Sequence, residues 1–267
     1  MKSAHQKRFS RFFFATEGES KPRIASALNV FIAFLLLSFL IYLSFYQLTT
    51  RSGWHLVASY WRLFLNGWVI TILISLVALV LSTCVGLLVA LSRESPLLIL
   101  RDLGRVYVEI IRGTPLLVQI YVFNYGILHQ LGVQDRYVTG VMILSGFSGA
   151  YIGEIIRAGI ESIGKSQIDS ARAIGLTSRQ IYRYIIFPQT IRRVMPPLAG
   201  QFASLIKDSS LLSIIGLNEL TQNASNVNSY TFSNLESYFP LAVGYLILTL
   251  PISLWSRSLE KKHQFET

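Results

Sequence analysis

Charge is scarce in this chain. Only 14% of its 267 residues are charged while 52% are hydrophobic, and the mean hydropathy of +0.47 is too high for an ordinary soluble domain, so the composition is that of a membrane protein. Cysteine occurs once, as Cys84 inside an apolar run, which excludes an intrachain disulfide and reads as a buried structural thiol. The histidines, His5, His55, His129 and His263, fall in tails or loops without ligand spacing, so no metal site is expected. There is no GxxxxGK[ST] loop for ATP, no nucleophile elbow and no RNA-binding fingerprint. Internal repeats and low-complexity tracts are absent. No signal-peptide cleavage pattern stands out, because the first apolar run is too long and follows a basic arm.

Long apolar windows are what the chain has instead. Stretches of about 20 residues, enough to cross a bilayer, occur near 27–47, 66–92, 106–130, 137–160, 194–217 and 238–257. The expectation is an all-α polytopic protein with about six transmembrane helices. The net charge of +10 is distributed rather than tail-bound. Lys2, Lys7, Arg8, Arg11, Lys21 and Arg23 precede the first window; Arg93, Arg101 and Arg105 follow the second; Arg172, Arg179, Arg183, Arg192 and Arg193 lie in 161–193; and Arg257, Lys261 and Lys262 end the chain. Asn218 to Ser237 carries no basic residue. The positive-inside rule puts the basic segments and both termini in the cytoplasm. The partner of that charge is then a lipid surface, not nucleic acid. Residues 1–25 read as a basic arm, either disordered or lying on anionic headgroups.

Several positions bear on chemistry. Arg112-Gly113-Thr114-Pro115 breaks the third window, with Thr114 expected as an N-cap and Pro115 as the first residue of a helix running to about Gln130. Glu109 and Arg112, three apart, are placed to pair, as a structural ion pair or a gate. Glu154 in the fourth window, and Lys207 and Asp208 near the middle of the fifth, are costly in a bilayer unless they face a partner or water. Either they close a network, Glu154 with Arg157 and Lys207 with Asp208 or Glu154, or Glu154 and Asp208 line a substrate path with Ser204, Ser209, Ser210 and Ser213. In the second window Ser75, Ala78, Ser82 and Gly86 recur at helical spacing, giving a narrow face for close helix packing or a generic lipid-facing one.

The 161–193 segment is the most specific. Good helix formers run from Gln167 to Ile174 with Asp169 expected in the first turn, Gly175 stops them, and Thr177 or Ser178 can cap a second helix that ends at Pro188. DSARAIGL from Asp169, followed by FPQTIRR from Phe187, resembles the EAA loop of binding-protein-dependent ABC importer permeases: Ala171, Gly175 and Pro188 match its pattern, whereas Asp169 and Ser170 replace Glu and Ala and Phe187 replaces Leu. YVEIIRGTPLLVQ from Tyr107, AYIGEIIRAGI from Ala150 and IKDSSLLSIIG from Ile206 extend the resemblance to the polar amino-acid uptake permeases over about three quarters of the chain.

That resemblance implies a type I ABC importer transmembrane domain over 66–258 with its coupling loop at 161–193, preceded by an extra anchor span and outer loop at 26–65 and followed by a tail at 259–267. It implies a second permease subunit, identical or a sister, and ATPase subunits that hold ATP and Mg and dock on Asp169, Ser170, Ala171, Gly175 and Pro188. A substrate-binding protein outside the membrane and a small polar substrate complete the set; this chain itself would bind no cofactor and catalyse no reaction. Glu154, Asp208, Ser209 and Ser204 are the expected pathway residues, and Glu109, Arg112 and Pro115 the structural or gate residues. The rival readings are a proton-coupled secondary transporter using Glu154 and Asp208, which an absent inverted repeat disfavours, and a membrane enzyme, for which no nucleophile and base are in sight.

Overall fold

The computed structural model describes residues 23–46 and 53–263, and every regular element among them is helical. Two units separate, 1–53 and 54–267. The first is described by helix α1 (Arg23–Tyr46) alone, whose stretch Leu28–Phe39 is a short apolar helix with Phe31, Phe34, Leu36 and Phe39 exposed. The expected basic arm lies almost wholly outside the described residues.

The second unit opens with α2 (Trp54–Ser59) and the long α3 (Trp61–Arg93). The small residues of α3 form its packed stripe: Ser75, Ala78, Ser82 and Gly86 are all buried. They let α3 lie closely along α6 (Arg136–Glu161), where a Cβ on Gly86 would come within 2.5 Å of Ile152 and one on Gly149 within 2.5 Å of Val85. The generic lipid-facing alternative is thereby set aside. Cys84, expected to be buried, is exposed instead, because it points away from that stripe.

The third window is broken as expected, one residue out of register. Helix α4 (Leu98–Gly113) ends, Thr114 is extended at φ −121° and ψ 144°, and Pro115 rather than Thr114 occupies the N-cap of α5 (Leu116–Tyr121), which continues as a π-helical segment, Val122–Leu128. The two halves bend by 109°. A break inside an apolar segment orphans carbonyls, which water cannot then satisfy. Gln119 supplies the missing donors: its amide bonds Ile111 O at 2.7 Å, Thr114 O at 3.1 Å and Thr114 Oγ1 at 2.8 Å.

Beyond α6 come the loop helices α7 (Lys165–Ala173) and α8 (Ser178–Ile181), a π-helical segment Tyr182–Ile186, then α9 (Phe187–Asp208). Pro188 does not end the second loop helix as expected. It falls in the first turn of α9, where a missing N–H breaks no ladder bond, and the π segment joins the two helices. A 3₁₀ segment, Ser209–Ile215, follows, closed by Gly216 at φ +70°, so Asp208 stands at the end of a helix rather than mid-span. Helices α10 (Leu220–Thr231) and α11 (Asn234–His263) complete the chain.

Among the described residues α3, α6 and the Asn234–Glu260 part of α11 are long and apolar enough to cross a membrane, and the bent pair Leu98–Gly113 with Leu116–Leu128 makes a fourth if it is one span. The expected fifth falls on α9, whose charged Arg192, Arg193, Lys207 and Asp208 dilute its apolar face. The helices are antiparallel or parallel in a definite register: Gly159 packs on Val194, Ser148 accepts from Gln201 at 3.2 Å, and Ser256 donates to Pro196 O at 3.0 Å. Arg93, Glu161, α7 and the start of α9 therefore share one end of the bundle. Asp208, Gly216 and the starts of α3, α6 and α11 share the other.

Candidate functional site

The loop end carries a built turn. Leu176 N–H bonds Ala171 O at 3.1 Å and Gly175 N–H bonds Arg172 O at 3.0 Å, the paired bonds of a Schellman motif, with Gly175 left-handed at φ +85°. Thr177 and Gln180 then form a capping box on α8. Because α7 begins at Lys165, Asp169 lies past the first turn, where it pairs with Arg172 at 3.3 Å instead of facing the helix N-terminus. Ser170 is exposed, Ala171 is buried beneath the turn, and Ile174 at the apex is 78% exposed. The turn is not loosely hung. Gln189 donates to Gln167 at 2.8 Å and Arg193 to Ser162 O at 2.5 Å, tying the loop to the start of α9.

Deeper at the same end, Glu154 is the hub of a cluster drawn from three helices. Arg93 of α3 approaches it at 2.6 Å, Arg157 of α6 at 2.5 Å and Arg112 of α4 at 3.9 Å, while Arg157 also pairs with Glu161. Arg93 and Glu154 keep only 16% and 22% of their side-chain surface, so each charge depends on the other. The expected Glu109–Arg112 pair does not form: Arg112 turns to Glu154 and over the Tyr151 ring at 5.4 Å, and Glu109 faces outward without an ion pair among the described residues. Three to four residues of helix bring Glu109 and Arg112 together only if nothing better charged is nearby, and here Glu154 is.

Asp208 lies elsewhere. The packing register of α6 and α9 places it about 18 Å along the bundle from Glu154, at about 1.5 Å per residue, so these two carboxylates do not share a site. It is half-buried and has neither a hydrogen bond nor an ion pair from its carboxylate among the described residues, and Lys207 beside it is exposed and unpaired as well. Neither expected Lys207 pairing forms. The hydroxyls of Ser209, Ser210 and Ser213 donate back to the carbonyls of Ile206, Lys207 and Ser210 at 2.6–2.7 Å. Ser209 is fully buried, so only the half-buried Ser210 and Ser213, their protons spent on the backbone, present lone pairs, suited to an ammonium rather than a carboxylate. Ser204 is half-buried one turn before Asp208.

Two residues of this architecture were not singled out by sequence. Arg93 registers in the sequence only as a topology charge, since its partner is 61 residues away. Glu219 is fully buried, accepting from the backbone N–H of Thr221 and Gln222 at 2.8 Å each and from the Tyr245 hydroxyl at 2.9 Å, and it fixes α10 between α3 and α11. Thr71, which receives Leu220 N–H at 3.2 Å, holds the same corner. An acidic residue at a helix start was the available signal for Glu219. No His, Cys, Asp or Glu cluster fit for a metal is present among the described residues.

Residues 82–264 match the binding-protein-dependent transport system inner membrane component, and the chain belongs to that family. It is a permease subunit of an ABC importer with the type I importer fold. Its relatives include the probable glutamine ABC transporter permease protein GlnM of Bacillus subtilis (strain 168), 39% identical over 201 residues, which cover 75% of this chain and 93% of that protein. The glutamine transport system permease protein GlnP of Escherichia coli (strain K12) is 35% identical over 203 residues, 75% and 92% respectively. Among solved structures, an amino acid ABC transporter with histidines superposes with a TM-score of 0.74 at 33% identity, covering 79% of this chain and 99% of that one. An inward-facing MetNI methionine ABC transporter, at 18% identity and a TM-score of 0.62 over 76% and 97%, shares the fold alone.

Proposed function

We propose that the chain carries a polar amino acid, glutamine foremost, into the cell on work that partner ATPases deliver at the Lys165–Pro188 loop. The observation that carries this reading is the exposed Ile174 apex on a turn braced to α9, the helix that ends in Asp208, whose carboxylate has no ion pair among the described residues. Movement of the turn reaches Asp208 along α9, past the π segment at its start and the Pro196-Pro197 pair in its interior. ATP and Mg reside on the ATPases, a second permease subunit completes the pathway, and a binding protein delivers substrate at the end bearing Gly216. Asp208 takes the substrate ammonium, with the half-buried Ser204 offering an oxygen alongside, whereas Ser209 is fully buried against the fold and does not face the substrate. Glu154 serves the fold: its charge is already spent on three arginines.

Orientation follows the basic residues, with both termini and the loop inside. Reporter fusions at Thr50 and Gln222 are expected to read outside and one at Lys165 inside; an outside signal at Lys165 would end the coupling role. Ile174→Asp puts a charge on the apolar apex and is expected to lower co-purification of the ATPase at unchanged permease yield. ATPase recovery equal to wild type would mean that the apex is not the docking surface.

A further inference from the structure

At the end of the bundle away from the loop, a cavity of about 300 Å³ opens between the π-helical segment Val122–Leu128, the start of α6 and the end of the 3₁₀ segment. That is the lower end of the size range for small-molecule pockets. Its polar lining is Asn124, His129, Gln134 and Arg136, with Tyr125 alongside, and none of its lining residues is acidic. Arg136 is the chemically decisive member. One nitrogen of its exposed guanidinium donates to Gly216 O at 3.0 Å, and its other donors have no partner among the described residues. The neighbouring Asp135 does not neutralise it, because the Asp135 carboxylate accepts the Tyr137 and Val138 N–H groups at 2.9 Å each as the cap of α6. The side chains of Asn124 and Gln134 make no hydrogen bond among the described residues, so two amides stand ready beside an uncompensated cation.

A pocket of this size with a guanidinium, two side-chain amides and no carboxylate selects a small polar molecule bearing a carboxylate. We infer that this cavity is an entry site for the amino-acid substrate, Arg136 receiving its α-carboxylate and Asn124 and Gln134 its polar side chain, before the molecule passes to Asp208. The ligand class rests on the permease reading given above. The walls also suit a transient site. One is π-helical, a form frequent at functional sites, and a ligand held by Arg136 bears directly on the Gly216 turn that closes the 3₁₀ wall.

The test is equilibrium binding of L-glutamine, and of L-glutamine α-amide, to the complete permease–ATPase complex in lipid nanodiscs without binding protein. A charge-assisted contact predicts that Arg136→Gln weakens L-glutamine roughly tenfold or more, and that the wild-type complex binds the α-amide as poorly. Asn124→Leu and Gln134→Leu, which break no bond within the described residues, are expected to weaken L-glutamine several-fold and carry the test if Arg136→Gln is recovered unfolded. Asp208→Asn is expected to lose uptake while keeping the Arg136-dependent binding. Equal affinity for the acid and its α-amide, or unchanged affinity in all three cavity variants of a complex that still transports glutamine, overturns the site and spares the permease reading. A complex that neither transports nor binds any amino acid overturns both.

Discussion

Gly175→Val is expected to cut uptake about 5- to 150-fold while the amount of inserted permease stays near wild type. Gly175 sits at φ +85°, and a Cβ there would meet nothing within 4 Å, so the whole penalty is backbone conformation rather than a clash. A β-branched residue in that region costs on the order of 1 to 3 kcal/mol, which corresponds to the stated range. The turn can relieve this only by giving up the Leu176-to-Ala171 bond that closes the Schellman motif, which moves the Ile174 apex relative to α9. The spans do not depend on it. Gly175→Asn, which tolerates the left-handed region, is expected to retain most uptake. The measurement is ATP-driven uptake per membrane-inserted permease for the series Gly, Asn and Val; equal uptake for Gly and Val would mean that the turn transmits nothing.

Glu154→Gln and Asp208→Asn are expected to fail in opposite ways. Removing the Glu154 charge leaves Arg93 and Arg157 facing an amide, and Arg93 has no other acidic partner among the described residues. Losing a charge-assisted bond in a part-buried cluster costs about 2 kcal/mol, a sizeable share of ordinary fold stability, so the yield of folded permease falls. Arg93→Met in the same chain removes the stranded charge and is expected to recover much of that yield. The Asp208 carboxylate holds no ion pair or hydrogen bond among the described residues, and its neighbour Lys207 is exposed, so Asp208→Asn should fold and assemble normally and lose uptake per complex. Counting folded complexes by size-exclusion chromatography and dividing uptake by that number separates the two. Wild-type uptake per folded complex in Asp208→Asn would remove Asp208 from the pathway, and full yield of Glu154→Gln would show that the arginine cluster does not stabilise the fold.

What could be read without coordinates was local in origin. Gly175, the Thr177 cap and the break before Pro115 are decided by a few neighbouring residues through φ, capping geometry and the missing proline N–H, and each is found within a residue of its expected place. The stripe of Ser75, Ala78, Ser82 and Gly86 is also local, because helical spacing alone puts the four on one face. The Glu154 cluster is not. Spacing points to Arg157, but Arg93 and Arg112 come from helices whose register depends on close contacts such as Gly86 with Ile152, and that competition also cancelled the Glu109–Arg112 pair. Pro188 misled for a related reason: proline ends a helix unless it falls in a first turn, and the π segment that puts it there has no separate signature in Tyr182–Ile186. Glu219 stayed hidden because a capping acid looks the same whether the corner around it is wet or fully buried.

Uptake of radiolabelled L-glutamine into proteoliposomes containing the complete complex, with the binding protein outside and ATP sealed inside, is the most direct measurement of whether this chain is a passive channel wall driven from its Lys165–Pro188 loop. Uptake that requires both ATP and the binding protein, persists when the proton gradient is collapsed, and falls at least about 5-fold in Gly175→Val is the predicted result. Uptake driven by an imposed proton gradient without ATP, unaffected by Gly175→Val but lost in Asp208→Asn, would contradict it and make the chain a proton-coupled carrier.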